Sequence, residues 1–398
     1  MYKMRLNLSD DFTENNSPIV DLLLRGDVSG VPPTKLLNPN EADLEIANER
    51  LLKIKEWRRM LSQKFGRDED ARRSCVMSLG RLISKKFAGK SQGYNATGYT
   101  LAKLANAMSA KQSIIFTFCF GGYKSPSYPD YPEPGYAELF HINYLAQYLL
   151  PLAKNYKHGV ELEFDSEEIS VAYNNMPQDA LDRYDAAFRK LLEWAQKELE
   201  TNFGIVMPMR LILARKQYKS EQALHDLIMQ KLPDYEKLFD RLDEETRKKW
   251  LQRAEANIVW NGRKDLTNLS ADERLAVVKM TRLYNEAFLE ADYILRQDFF
   301  EAPNRIPLTG TWGIMPSASP TDGWLHLKST RASMADSWTG YGVVQNMGGE
   351  MIETILSKTQ LDAVSDKIES VENTDAKLNA ISKNFERIAI INQTPSAA

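Results

Sequence analysis

The sequence is poor in the residues that form cross-links and metal sites. It holds two cysteines, Cys75 and Cys119, and four histidines among 398 residues. Two cysteines do not make a disulfide framework, so a reducing, cytoplasmic setting is the expectation. Neither an HExxH nor a CxxC pattern occurs, and we therefore expect no built-in metal site.

Long apolar runs and an excess of one charge are also missing. No stretch of about 18 apolar residues occurs, so we expect no membrane span and no contact with membranes. The 51 basic and 54 acidic residues give a net charge of −3, which gives no support for nucleic-acid binding. The sequence also lacks the GxGxxG and GxxxxGK[ST] loops of common nucleotide-binding proteins.

What is present is the pattern of an α/β core. An apolar run of strand length spans 113–120, and further strands are predicted at 159–164 and 206–214. Amphipathic helices are predicted between them, at 135–153 and from Pro177 to about Thr201. Strand–helix–strand alternation indicates a parallel, right-handed, Rossmann-like arrangement. Pro208 predicts that the third strand lies at an edge or has a bulge.

Composition changes predict five segments along the chain. They are an N-terminal arm with helices (1–110), the Rossmann-like core (111–219), a helical cap or insert (220–300), late strands completing the sheet (301–350) and a helical tail (351–398). The late strands either extend the core sheet or form a small antiparallel sheet beside it. The tail keeps a 3-4 apolar spacing, which makes it either an oligomer handle or a pair of helices packed on its own domain.

The first candidate site residues follow the first strand, because ligands of parallel sheets bind at the carboxyl ends of strands. Lys124 there binds a phosphate or carboxylate, or forms a Schiff base if desolvated. Ser125 offers a hydroxyl, and the backbone around Gly122 and Tyr123 can approach an anion closely. The alternative is a plain turn with an exposed lysine.

Two further candidates lie on the helix that follows. Glu138 and His141 are neighbours on one helix face, and a carboxylate beside an imidazole suits acid–base work. The alternative is a surface pair or a hydrogen-bonded histidine. Asp165 and Glu167 end the second strand, where carboxylates bind an amine or hydroxyls or take a proton; the alternative is a capping acid before a turn.

Basic residues near later strands are candidates for binding an anion. Arg210 and Arg215 lie on or just after the third strand, where either could face the carboxyl edge. Lys328 and Arg331 end a late strand and form a second candidate phosphate clamp. A surface turn explains that late pair equally well.

The segment 116–195 resembles the pyoverdine/dityrosine biosynthesis family, the isonitrile synthases. That family has an apolar strand leading into Lys-Ser-Pro-Asn, and here Phe118-Cys-Phe-Gly-Gly-Tyr-Lys-Ser-Pro126 matches it, with Ser127 in place of Asn. A Glu-bearing helix, a strand ending in Asp165 and a Tyr-bearing helix at 182–184 follow in the family's order. Ser166 replaces the family's Gly, Gly121-Gly122 is an addition, and this chain is longer than usual.

The resemblance implies an enzyme that joins an amino acid's nitrogen to one carbon of ribulose 5-phosphate and forms an isonitrile without a cofactor. Its partners would be these small molecules, with a possible homo-oligomer through the tail. The implied roles are phosphate binding by Lys124 and Ser125, acid–base work by Glu138 and Asp165, and a second anion clamp at Lys328 or Arg331. The alternatives are a transferase using a nucleotide or phosphosugar, and a non-catalytic binding or assembly protein that uses the late Trp/Gly-rich strands and the tail.

Overall fold

The fold is taken from a computed structural model of the chain. It describes residues 4, 6, 18–24, 41–84, 94–120, 124, 126–166, 177–260, 266–310, 325–327, 340–347 and 349–393. Five of the predicted site residues lie outside the described residues: Gly122, Tyr123, Ser125, Lys328 and Arg331. Glu167 also lies outside them.

Helices and strands alternate between residues 114 and 213, as the sequence pattern indicates, and the described elements on either side, up to residue 300, are helices. In chain order the elements are α1 (Pro18–Leu24), α2 (Glu41–Phe65), α3 (Glu69–Leu82), α4 (Tyr94–Ala110), β1 (Ile114–Phe120), α5 (Tyr136–Asn155), β2 (Val160–Ser166), α6 (Gln178–Phe203), β3 (Met209–Leu213), α7 (Glu221–Arg241), α8 (Glu244–Trp260), α9 (Ala271–Leu295), α10 (Gln297–Phe300), β4 (Arg305–Gly310), β5 (Leu325–Leu327), β6 (Tyr341–Met347), β7 (Glu350–Leu356), α11 (Lys358–Val364), β8 (Ile368–Glu372), α12 (Ala376–Asn379) and β9 (Arg387–Gln393).

The core is a five-stranded sheet in the order β3-β2-β1-β4-β5, and all its neighbouring strands run parallel. This confirms the predicted Rossmann-like α/β fold. β3 lies at an edge, as Pro208 predicts, because proline has no N–H to donate to a second neighbour. The carbonyl of Pro208 accepts a hydrogen bond from the Leu162 N–H at 2.9 Å.

One face of this sheet is apolar and is covered by α5 and α6. Phe118 of β1 lies 4.8 Å from the His141 ring of α5, centroid to centroid. Phe164 of β2 packs edge-on against Phe188 of α6 at 5.4 Å. Phe118 and Phe164 are opposite each other in the parallel register and therefore lie on the same face of the sheet. The apolar sides of the amphipathic helices α5 and α6 pack against this face.

The predicted helical tail is wrong. β8 and β9 pair with each other, with Ile368 opposite Ile391 and Val371 opposite Ile388, and with β6 and β7 they form a second sheet in the order β7-β6-β9-β8. The 3-4 apolar spacing is helical only in α11 and in the single turn of α12. In β8 and β9, β-branched residues favour strands, and pairing across the sheet overrides the helical period.

The late strands divide between the two sheets. β4 and β5 extend the parallel core, as the first alternative predicts, whereas β6 belongs to the second sheet. That sheet is mixed rather than antiparallel, because β6 and β9 run parallel. The second sheet packs on α5 through a close backbone approach at Gly342. A Cβ there would lie 2.4 Å from the backbone N of Ala137, so only glycine fits.

The predicted helical insert consists of α7, α8 and α9 and has its own apolar core around Phe239, Trp250 and Phe288. A capping box begins its last helix: the Ser270 hydroxyl accepts from the Glu273 N–H at 3.3 Å, and the Glu273 carboxylate accepts from the Ser270 N–H at 2.9 Å. Among the described residues, no helix is long and apolar enough to cross a membrane.

Candidate functional site

The carboxyl ends of β1 and β2 lie side by side, with Cys119 opposite Asp165 in the parallel register. Lys124 lies four positions after the last residue of β1, and Asp165 is the next-to-last residue of β2. Two groups of buried ionisable side chains occupy this edge. We call them the Lys124 cluster (Lys124, Asp130 and Glu138) and the Arg296 cluster (Asp165, Asp292 and Arg296).

The Lys124 ammonium is completely buried and surrounded by acceptors. Its Nζ lies 2.8 Å from Asp130 Oδ2 and 3.0 Å from Glu138 Oε2, and it donates to the carbonyl of Gly340 at 2.9 Å. An ammonium has three hydrogens, so these contacts account for all of them. The lysine thereby joins the link after β1, the start of α5 and the residue before β6.

These contacts decide between the interpretations of Lys124. The exposed-lysine alternative is wrong, since the side chain has no exposed surface. Burial lowers the pKa of Lys124, but the charges of Asp130 and Glu138 outweigh it and raise the pKa. A Schiff base needs a neutral amine, which this environment disfavours. The geometry makes Lys124 a residue that holds two carboxylates in place.

Glu138 is a buried acid held by donors from three segments of the chain. Its carboxylate accepts from Lys124, from the Gly135 N–H at 2.8 Å and from the Tyr184 hydroxyl at 3.4 Å. Tyr184 belongs to the Tyr-bearing helix of the family resemblance. Burial, reinforced by Asp130 and opposed by Lys124, raises the pKa of Glu138 to about 7. That value is suited to both giving and taking a proton at neutral pH.

Asp130 completes the Lys124 cluster and is not predicted from the sequence. Burial raises its pKa against the lowering effect of Lys124, and its Oδ1 has no hydrogen-bond partner among the described residues. Because two carboxylates share one ammonium, the second negative charge is poorly compensated and one carboxyl favours its proton. Asp130 lies in a Tyr/Pro-rich link, where no periodic pattern marks it as buried.

The Arg296 cluster lies at the end of β2. The Arg296 guanidinium donates to Asp165 Oδ1 and to both oxygens of Asp292, at 3.1 and 3.2 Å. The Tyr218 hydroxyl donates to Asp292 Oδ1. Asp165 is therefore a buried, ion-paired carboxylate rather than a capping acid exposed at a turn. No contact between Asp165 and Lys124 exists among the described residues.

Asp165 is the last of three acids on one face of β2. Glu163 pairs with Arg305 of β4, and Glu161 pairs with Arg210 of β3 at 3.0 Å. The exposed fraction of the acid side chain falls from 18% at Glu161 to 5% at Glu163 and 2% at Asp165. The acid side chains on this face of β2 are thus less exposed to solvent toward the carboxyl edge of the sheet.

The structure does not bring Arg210 to that edge. Its side chain is 58% exposed and pairs with Glu161, near the amino ends of the strands. Arg215, in the short 3-10 helix that follows β3, lies at the carboxyl end instead. An arginine early in a strand and one just after it point to opposite ends of the sheet, and the sequence alone did not separate them.

His141 shares α5 with Glu138 but not its surroundings. Its ring packs between Phe118 and Tyr144, 4.8 and 6.4 Å away between centroids. Burial lowers the pKa of His141 to about 3, so the imidazole is neutral at any physiological pH. The sequence interpretation that paired it with Glu138 for acid–base work is not supported by a contact between the two side chains among the described residues.

Comparison with known proteins gives a likeness in fold. The crystal structure of the PvcA protein from Pseudomonas aeruginosa aligns with 80% of this chain and 99% of its own, with a TM-score of 0.54 and 13% sequence identity. No protein-family model matches the sequence, and no curated protein matches it. The likeness to PvcA shows a shared fold.

The edge combines groups suited to proton transfer and to binding a cation. Lys124 and Arg296 each contact two carboxylates, so neither cluster carries a surplus of positive charge. Such an edge favours an amine over a phosphate. Anion binding would depend on other cations, and Arg215 and Lys216 lie in the 3-10 helix that follows β3 at the carboxyl end.

Proposed function

We propose that this protein is a biosynthetic enzyme that joins the nitrogen of an amino acid to one carbon of a pentulose phosphate, in the manner of isonitrile synthases. The observation that carries the proposal is the pair of buried ionic clusters at the carboxyl edge of β1 and β2, with the pKa of Glu138 near 7. The fold shared with PvcA and the sequence resemblance of 116–195 support it.

The proposed reaction requires proton transfers that the Lys124 cluster and the Arg296 cluster would carry out. An amine condensing with a pentulose carbonyl must lose protons, and the hydroxyls of the sugar must be deprotonated for C–C cleavage. Glu138 would exchange these protons, with Lys124 and Tyr184 holding it. Asp165 would bind the amine and accept its proton.

The phosphate would be bound elsewhere on the edge. Because Lys124 and Arg296 are committed to carboxylates, we propose that the residues following the strands in sequence supply the anion site. The residues we assign to it are Gly122, Tyr123, Ser125, Arg215, Lys328 and Arg331. Backbone N–H groups and a hydroxyl suit the first three, and point or forked charges suit the others.

A direct assay tests the proposal. The protein is incubated with uniformly 13C-labelled ribulose 5-phosphate and each common amino acid in turn, and the products are analysed by mass spectrometry. We expect one amino acid to gain a single labelled carbon and lose two hydrogens. Asp165→Asn should abolish that product. No labelled product with any amino acid would contradict the proposal.

A binding measurement separates this function from the transferase alternative. Ribulose 5-phosphate should raise the thermal midpoint of the protein, because a ligand that binds only the folded state stabilises it. A rise with nucleotides and none with ribulose 5-phosphate would favour a nucleotide-dependent transferase. The assembly alternative loses one of its supports, since the tail that would have acted as a helical oligomer handle forms strands.

A further inference from the structure

A buried arginine joins the helical insert to the edge of the parallel sheet. Arg296 follows α9 directly, and its side chain has no exposed surface. It contacts Asp165 of the core and Asp292 of the insert at the same time. It also donates from Nε to the Gln217 side chain at 3.1 Å.

The guanidinium is fixed in position from several sides. Its central carbon lies 4.8 Å from the ring centroid of Phe300 and 5.0 Å from that of Phe299. Planar stacking and forked hydrogen bonds give arginine a geometry that lysine cannot reproduce. The Arg296 N–H also donates to the Asp292 carbonyl at 3.0 Å, so the backbone is tied to the same turn.

Asp292 is itself anchored from a different segment. The Tyr218 hydroxyl donates to it across the space between the 3-10 helix after β3 and the end of α9. Tyr218 and Ala214 belong to the apolar core of the insert. The orientation of Asp165 therefore depends on a chain of contacts that passes through Arg296 and Asp292 into the insert.

We propose that Arg296 is a positioning residue that orients Asp165 for reaction and makes the helical insert a fixed side of the active site. This rests on the proposed function, in which Asp165 meets the amine. Misplacing a reacting group by about 1 Å can cost about 10²-fold in rate, so a fixed arginine behind Asp165 has a measurable consequence.

The same strand offers a matched control. Glu163 and Arg305 form a buried ion pair two residues before Asp165, on the same face of β2. Arg305 also stacks on Phe299, with its central carbon 3.8 Å from the ring centroid. This pair lies in the middle of the sheet rather than at its edge, so disrupting it changes stability without displacing a reacting group.

The experiment measures kcat and KM of the full-length protein for Arg296→Gln, Arg296→Lys and Arg305→Gln, together with each thermal midpoint. We expect Arg296→Gln to lower kcat about 10²-fold with little change in KM. Arg296→Lys should recover part of the loss. Arg305→Gln should lower the thermal midpoint while leaving kcat of the folded protein near that of the wild type.

Each outcome bears on the inference. Wild-type kcat in both Arg296 variants would overturn it, as would an equal loss of kcat in Arg305→Gln, which would indicate a purely structural effect. If Arg296→Gln does not fold, Tyr218→Phe removes only the hydroxyl that anchors Asp292, and unchanged kcat there would overturn the inference. A wild-type protein without turnover would overturn the proposed function first, and this is visible before any variant is made.

Discussion

The two faces of the parallel sheet are buried by different chemistry. On one face Phe118 and Phe164 pack against α5 and α6 through aromatic contacts. On the other face each of the three acids of β2 forms an ion pair with an arginine. The side chains on both faces are buried near the carboxyl edge. The two faces therefore differ in whether apolar or ionic contacts bury them, and in the role of those contacts.

The apolar face accounts for stability, since burying a large apolar side chain contributes about 1.5–3 kcal/mol. A buried ion pair contributes little net stability, because desolvation offsets much of the attraction between the charges. Its value lies in holding charged groups at fixed positions. The apolar face therefore stabilises the folded core. The ionic face, which carries the acids of β2 and their arginines, holds charged side chains in fixed orientations near the site.

The largest expected effect tests the apolar face. Phe164→Ala should lower the free energy of unfolding by about 3–5 kcal/mol, because it leaves a cavity between β2 and α6. Urea unfolding measures this change. A loss below about 1 kcal/mol would mean that the aromatic contacts do not stabilise the core as described.

The ionic face should respond differently to a second substitution. Arg305→Met leaves Glu163 buried without its cation and should cost about 3 kcal/mol or more. Adding Glu163→Leu to the same chain should restore most of the loss, since an apolar pair can replace a buried ion pair. A double-mutant cycle in urea measures the coupling. Additive losses would contradict this view of the ionic face.

Glu138 and His141, which both lie on α5, should change the free energy of unfolding in opposite directions as the pH changes. The raised pKa of Glu138 means that the folded state holds a proton that the unfolded state releases, so stability falls as pH rises from 4.5 to about 7. The lowered pKa of His141 means that stability falls as pH drops from 6.5 toward about 3. The effect is about 3 kcal/mol for Glu138 and about 5 kcal/mol for His141.

Unfolding curves across this pH range measure both responses. Glu138→Gln should reduce the loss of stability toward neutral pH, leaving the part that comes from the raised pKa of Asp130, whereas His141→Leu should remove the loss toward acid. If the two variants shift the pH dependence in the same direction, the opposite burial effects assigned to these side chains are wrong.

The smallest expected effect lies at the exposed end of the row of acids. Arg210→Ala removes a pair whose arginine is 58% exposed, and such pairs contribute about 0–1 kcal/mol. The free energy of unfolding should change by no more than that, and turnover should not change. A large loss of turnover would return Arg210 to the site and break the assignment of the site to the carboxyl edge.

The sequence predicted the core well because its signals are local. The apolar run of β1, the alternation in β2 and the proline before β3 each act through neighbouring residues and the period of the element. The alternation of Glu161 and Glu163 with apolar residues was visible too, but alternation usually marks a solvated face. No pattern of neighbouring residues in the sequence predicts that β4 and α10 cover these acids.

The parts that escaped prediction depend on distant partners. Arg296 and Asp292 are four residues apart on a helix, a spacing typical of a surface ion pair, and the decisive partner Asp165 is 131 positions away. Asp130 is buried beside Lys124, and no pattern of neighbouring residues predicts that contact. The strands of the tail form because β6 and β9 pair across the chain, which a 3-4 spacing cannot reveal.

The most direct test of the central claim is hydrogen exchange of the protein with and without ribulose 5-phosphate and its amino acid. The account predicts slower exchange in peptides that contain Lys124, Asp165 or Arg296, at the carboxyl edge of the parallel sheet. Peptides from the amino ends of the strands, such as those around Gly159, should not change. Protection confined to those amino ends or to the second sheet would contradict the account.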